Sequence, residues 1–94
     1  MTATCTYVSK KSAVSCDLNG ETVILDAHSG KYFALDPVGT EVWQLVQTPA
    51  TLAQICEKLM LSYDVPADRC FADVSGLIDS LVQNGLVEPE EEWR

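Results

Sequence analysis

Residues 21–46, ETVILDAHSGKYFALDPVGTEVWQLV, decide the fold, because they read as a β-hairpin that runs directly into a capped helix. Ser29-Gly30 supplies the turn. Val23 and Leu25 alternate with their neighbours on one arm and Phe33 and Leu35 on the other, the period-two spacing of strands with one buried face. Asp36-Pro37 then ends the sheet. An aspartate at an N-cap accepts a backbone N–H, and a proline at the first helical position gives up no needed donor, so a helix starts there.

Upstream, Asn19-Gly20 between two alternating runs is a strong hairpin signal. It places strands at residues 14–18 and 22–26, with a third at 31–35, as an antiparallel meander. Residues 1–12 are polar and read as a flexible extension, with Thr6-Tyr7-Val8 able to lend a short strand. Downstream, a first helix covers residues 37–47 with Val38, Val42, Leu45 and Val46 on one stripe, and Thr48-Pro49 ends it. Thr51-Leu52-Ala53-Gln54 is a capping-box pattern, followed by Leu52, Ile55, Cys56, Leu59, Met60 and Tyr63 at helical spacing. Pro66 opens a third helix, Asp68 stands near its positive end, and Gly85 caps its C-terminus. Leu86-Val87 reads as a short strand or wedge, and residues 89–94 as an acidic, solvated tail. A three-stranded antiparallel sheet followed by three helices describes a winged-helix-like α+β domain over residues 13–88.

Composition bounds the function. The 94 residues, 47% of them hydrophobic, make one domain. No apolar run approaches the roughly 20 residues a membrane helix needs, and the N-terminus lacks the charged and apolar segments of a secretory signal, so a cytoplasmic protein is expected. Fourteen acidic against six basic residues give a formal charge of −8. Such a chain repels nucleic acid and attracts a basic peptide at low salt. Cys5, Cys16, Cys56 and Cys70 include no C-x-x-C pair, and the single histidine, His28, stands beside a turn, so no metal site is expected. Cys16, Cys56 and Cys70 fall at apolar-periodic positions and read as reduced, core-packing thiols, with Cys5 exposed. No nucleophile elbow, phosphate loop or metal constellation supports an enzyme, and no cofactor is implied.

The block K-Y-F-A-L-D, a small-residue turn and E-V-W-Q-L-V resembles the PqqD-like family. Downstream, D-V-x-x-L-I-x-x-L-x-x-x-G-L-V at residues 73–87 matches the family's last helix. The resemblance spans residues 14–88. It implies a recognition element that binds the leader segment of a ribosomally made precursor peptide, so that partner enzymes modify it. The leader would add a strand to the third strand (Lys31, Tyr32, Phe33, Ala34, Leu35). Its side chains would enter a groove against the third helix (Asp68, Arg69, Cys70, Asp73, Val74, Leu77, Leu81). The third helix has apolar residues to spare for such a groove. Cys70, Phe71, Val74, Leu77, Ile78, Leu81 and Val82 exceed the roughly 100° stripe that one core contact requires, and Leu77 is expected to be the least needed for the core.

The small free-standing form is most similar to the version that serves lasso peptide antibiotics. There the partners are a cysteine-protease-type leader peptidase and a macrolactam cyclase. The alternative within the family is a chaperone for a radical enzyme in a pathway of the pyrroloquinoline quinone type. Two other classes fit less well. A DNA-reading third helix would offer Asp64, Asp68, Asp73 and Asp79 against one Arg69. Asp79-Ser80-Leu81 is similar to a phosphopantetheine attachment motif, but Ser80 lies near the end of a helix, whereas in a carrier protein the serine begins one.

Overall fold

The structure, a computed structural model, describes residues 5–19 and 21–91. In chain order these form β1 (Cys5–Ser9), β2 (Ala13–Leu18), β3 (Glu21–Asp26), β4 (Tyr32–Leu35), α1 (Pro37–Leu45), α2 (Leu52–Ser62), α3 (Ala67–Gln83) and β5 (Val87–Glu91). The fold is α+β: a three-stranded antiparallel sheet in the order β2-β3-β4, then three helices. Asn19 has a φ of +55°, the left-handed geometry a tight β2–β3 turn demands, while its partner Gly20 lies outside the described residues.

Sheet and helices are joined by residues 36–40. The Asp36 carboxylate accepts the Gly39 N–H at 2.7 Å, and Pro37 occupies the first turn. A Cβ on Gly39 would stand 3.2 Å from both Asp36 Oδ1 and Leu35 Cβ, so the cap closes over a residue without a side chain. Next, the Thr40 hydroxyl accepts the N–H of Thr22 at 3.1 Å, tying α1 to the middle strand. The capping box of α2 forms in full, with Thr51 and Gln54 accepting each other's backbone N–H. At the end of α3, Gly85 at a φ of +76° lets its own N–H reach Val82 and that of Leu86 reach Leu81, a Schellman closure over buried Leu81 and Leu86.

The core is Ile24 and Leu35 from the sheet, Val42 and Trp43 from α1 with Val46 at its C-cap, Ile55, Cys56 and Leu59 from α2, and Cys70, Val74, Ile78 and Leu81 from α3, closed by Leu86 and Val87. Three features differ from the sequence reading. The inner face of β3 is Thr22, Ile24 and Asp26, and Val23 and Leu25 lie half-buried on the outer face. Polar burial is tolerated because each group is satisfied. The Thr22 hydroxyl donates to Asp17 at 3.0 Å, while Asp26 accepts the His28 N–H at 3.1 Å and the Ser29 hydroxyl at 2.9 Å. By the same phase, Cys16 is exposed rather than packed in the core, whereas Cys56 and Cys70 are buried. Finally, the segment read as a flexible extension is ordered over residues 5–9, where the short strand offered at Thr6-Tyr7-Val8 forms and is longer by a residue at each end. β1 pairs antiparallel with β5, which reaches into the segment read as a tail, and β1 also bridges Ala50 through Tyr7. Residues 1–4 and 92–94 of those two segments, and the side chain of Cys5, lie outside the described set.

Candidate functional site

β4 corresponds to the third strand of the sequence reading and is an outer strand of its sheet. Its free side is defined by hydrogen-bond parity. The Asp26 N–H donates to the Lys31 carbonyl at 2.9 Å. In an antiparallel ladder bonded and non-bonded pairs alternate, so Ile24↔Phe33 and Thr22↔Leu35 are bonded, and Leu25↔Tyr32 and Val23↔Ala34 are not. The N–H and C=O groups of Tyr32 and Ala34 therefore point away from β3, and no described strand lies against them. Phe33 and Leu35 turn their side chains inward, the former half-buried against the core and the latter buried, while Tyr32 is 72% exposed.

Beyond the end of β4 lies a cavity of about 430 Å³. One wall is Val38, in the first turn of α1. Leu59 and the α2–α3 connection, Tyr63, Asp64, Val65 and Pro66, form another, and Arg69, Cys70, Asp73 and Val74 from the first two turns of α3 complete it. The elements are brought together by packing: α2 lies along α3, and α1 follows β4 after a single residue, Asp36. Val38 is 40% exposed, an apolar residue left at the mouth. The rim is charged. Arg69 Nε stands 3.9 Å from Asp73 Oδ2, with both side chains more than two-thirds exposed, so the pair orients the rim and adds little stability.

Of the twelve candidate residues, Lys31, Tyr32, Phe33, Ala34 and Leu35 lie on or beside the open edge, and Arg69, Cys70, Asp73 and Val74 line the cavity. Asp68 is exposed at the start of α3 and accepts the Arg69 N–H at 2.9 Å. Leu81 is buried, and Leu77 is half-buried and packs on the core; neither lines the cavity. Six lining residues were missed by periodicity: Val38, Leu59, Tyr63, Asp64, Val65 and Pro66. The helical stripe that would hold Val38 assigns it to the core. Leu59 and Tyr63 fall on the apolar stripe of the second helix and read as core for the same reason, and residues 64–66 lie in a connection with no period, although Val65-Pro66 is an apolar pair where a loop is usually polar.

Two side chains near the site have displaced titrations. The N–H of His28 and the hydroxyl of Ser29 hold the Asp26 carboxyl below its ordinary range, which keeps the β3–β4 turn closed on an ionised group. Burial, with the Cys70 thiol adjacent, pushes Cys56 up to about 11. His28 is exposed in that turn, and the described residues contain no group of three or more metal-ligating side chains. Ser80 is exposed in the last turn of α3, in a domain whose sheet sets it apart from an all-helical carrier. No helix is long and apolar enough to cross a membrane among the described residues.

Fold and site together define a small winged-helix-like domain with an open strand edge at β4 and an apolar cavity among its three helices. The chain belongs to the PqqD family: the family model described as coenzyme PQQ synthesis protein D (PqqD) matches residues 21–87. Among solved structures the chain is similar to TbiB1 in complex with the TbiA(beta) leader peptide, at 26% identity and a TM-score of 0.81, over 86% of this chain and 94% of that one. It also shares the fold of lasso peptide synthetase B1 complexed with the leader peptide, at 22% identity and a TM-score of 0.78, over 87% of this chain and 96% of the other. No curated protein sequence matches it.

Proposed function

We propose that this protein is a non-catalytic recognition element that binds the leader segment of a ribosomally made precursor peptide. The leader pairs with β4 and places apolar side chains in the cavity between α1 and α3. The observation that carries the reading is the outward parity of Tyr32 and Ala34 on the free edge of β4, the strand that passes through Asp36 into α1, whose first turn lines an apolar cavity at Val38. The likeness to TbiB1, solved with a leader peptide bound, supports it.

Magnitudes require both parts of the site. Two outward residues provide four backbone groups, and at roughly 0.5–1.5 kcal/mol for each hydrogen bond they supply at most about 6 kcal/mol. Association costs roughly 4–15 kcal/mol, so the edge alone does not hold an unstructured peptide. Two or three apolar anchors at roughly 1.5–3 kcal/mol each bring the sum into the binding range. The edge fixes register and direction, and the cavity selects the sequence. Asp64, Asp68 and Asp73 around the α3 terminus favour a leader with basic residues near its anchors.

The protein acts in the cytoplasm in lasso peptide biosynthesis. It hands the precursor to a cysteine-protease-type leader peptidase and a macrolactam cyclase. Val38→Asp tests the cavity. A carboxylate near the helix N-terminus is compatible with folding, but a bound leader would strip it of water. Fluorescence polarisation of a labelled lasso-type leader peptide should show binding at least tenfold weaker, about 1.4 kcal/mol, with an unchanged circular dichroism spectrum. A folded variant with wild-type affinity would move the site elsewhere.

A further inference from the structure

Cys56 in α2 and Cys70 in the first turn of α3 are both buried, and each is the other's neighbour. The Cys70 thiol donates to the Cys56 carbonyl across 4.0 Å, which brings the Cys70 sulfur against the residue that carries the second thiol. They differ in access. Cys70 lines the cavity and Cys56 does not.

We propose that Cys56 and Cys70 form a two-electron thiol pair, reached through the cavity by a small uncharged disulfide, in which Cys70 reacts first and Cys56 resolves. The proposal goes beyond leader binding and stands without it. The rim sets Asp64 beside the Arg69–Asp73 pair, and its surplus of negative charge, on a chain of net charge −8, disfavours anionic disulfides and leaves a neutral one as the reagent that enters. The Cys70 thiol loses its proton to solvent and its thiolate attacks one sulfur of the reagent. That sulfur bonds to Cys70, and the other leaves as a thiolate. Cys56 then loses its proton and attacks the Cys70 sulfur, forming the Cys56–Cys70 disulfide and expelling the second small thiolate. The pair gives up two electrons and two protons, and the reagent is reduced to two thiols. Burial and the adjacent Cys70 hold the Cys56 thiol up to about 11, so it stays protonated while the cavity-lining Cys70 takes the first step.

The test uses the full chain with Cys5→Ser and Cys16→Ser, treated with 2-hydroxyethyl disulfide under native conditions and followed by intact mass and peptide mapping. The expected product has lost two hydrogens through a Cys56–Cys70 bond and melts several degrees higher, because the bridge restricts the unfolded chain. Adding Cys56→Ala should halt the reaction with one 2-hydroxyethylthio group on Cys70, and adding Cys70→Ala should leave Cys56 unmodified. Unreacted thiols in the folded parent, a first adduct on Cys56, or a Cys70 adduct that persists beside an intact Cys56 would each overturn the proposal. The parent experiment decides the question even if an alanine variant fails to fold.

Discussion

Two of the molecule's sheet edges are treated in opposite ways. At β5, Pro89 stands opposite Tyr7, whose own N–H and C=O are exchanged with Ala50 on the far side of β1, at 2.8 and 3.1 Å. Tyr7↔Pro89 is therefore a non-bonded pair, and the position of Pro89 faces outward, where an N–H would otherwise invite another strand. Glu88 and Glu90 flank it with charge. Proline and charge are the devices that keep a sheet edge from recruiting other chains. At β4 the corresponding outward positions are Tyr32 and Ala34, which keep their donors and acceptors in a strand free of charge and proline. One edge is closed and the other is open. The strand with the open edge is followed by α1, whose Val38 lines the cavity, and an edge retained against its aggregation risk suits the proposed strand addition.

The largest effect should come from a proline placed at an inward-bonded position of β4. Phe33 points its N–H at Ile24, so Phe33→Pro removes a ladder bond and forces the inward ring out of place. Loss of cooperative thermal unfolding is expected, and a melting curve like that of wild type would overturn the assigned parity.

Acid should weaken the same hairpin through its turn. The folded pKa of Asp26 is lowered, so its contribution to stability is complete above the ordinary value of 3.8 and is lost as pH falls through the lower, folded value. Asp26→Asn should be less stable than wild type at neutral pH, and the difference should shrink in acid. Chemical denaturation at neutral pH and at about pH 3 compares the two; a constant difference would separate the turn from the ionisation of Asp26.

The smallest effect is expected at the closed edge. Pro89→Ala restores an outward N–H and should change stability by no more than about 0.5 kcal/mol. It should raise self-association at high protein concentration. Sedimentation identical to wild type would show that Glu88 and Glu90 suffice to close β5.

Much of this could be read along the chain. The β3–β4–α1 block, the capping box at Thr51 and the closure at Gly85 are local, set by turn and cap chemistry within a few residues. The phase of β3 was not legible, because T-V-I-L-D carries apolar residues on both faces. The polar pair Thr22 and Asp26 is buried only because Thr40, Asp17, His28 and Ser29 satisfy it. Strand β1 is fixed by β5 at the opposite end of the chain, a pairing with no local signature. The site divides in the same way. Arg69, Cys70, Asp73 and Val74 come with the family resemblance, Cys70 and Val74 also sharing one helical line with Leu77 and Leu81, which do not reach the cavity, whereas Val38, Leu59 and residues 63–66 meet them only through packing of three elements.

Ala34→Pro tests the central claim most directly, because Ala34 lies on the outer, non-bonded side of β4 and proline is compatible with that position. The substitution removes one outward donor and crowds the incoming strand. By fluorescence polarisation with a labelled lasso-type leader peptide, affinity should fall at least tenfold, about 1.4 kcal/mol, while the melting temperature stays close to wild type. A stable variant with undiminished affinity would contradict strand addition at β4.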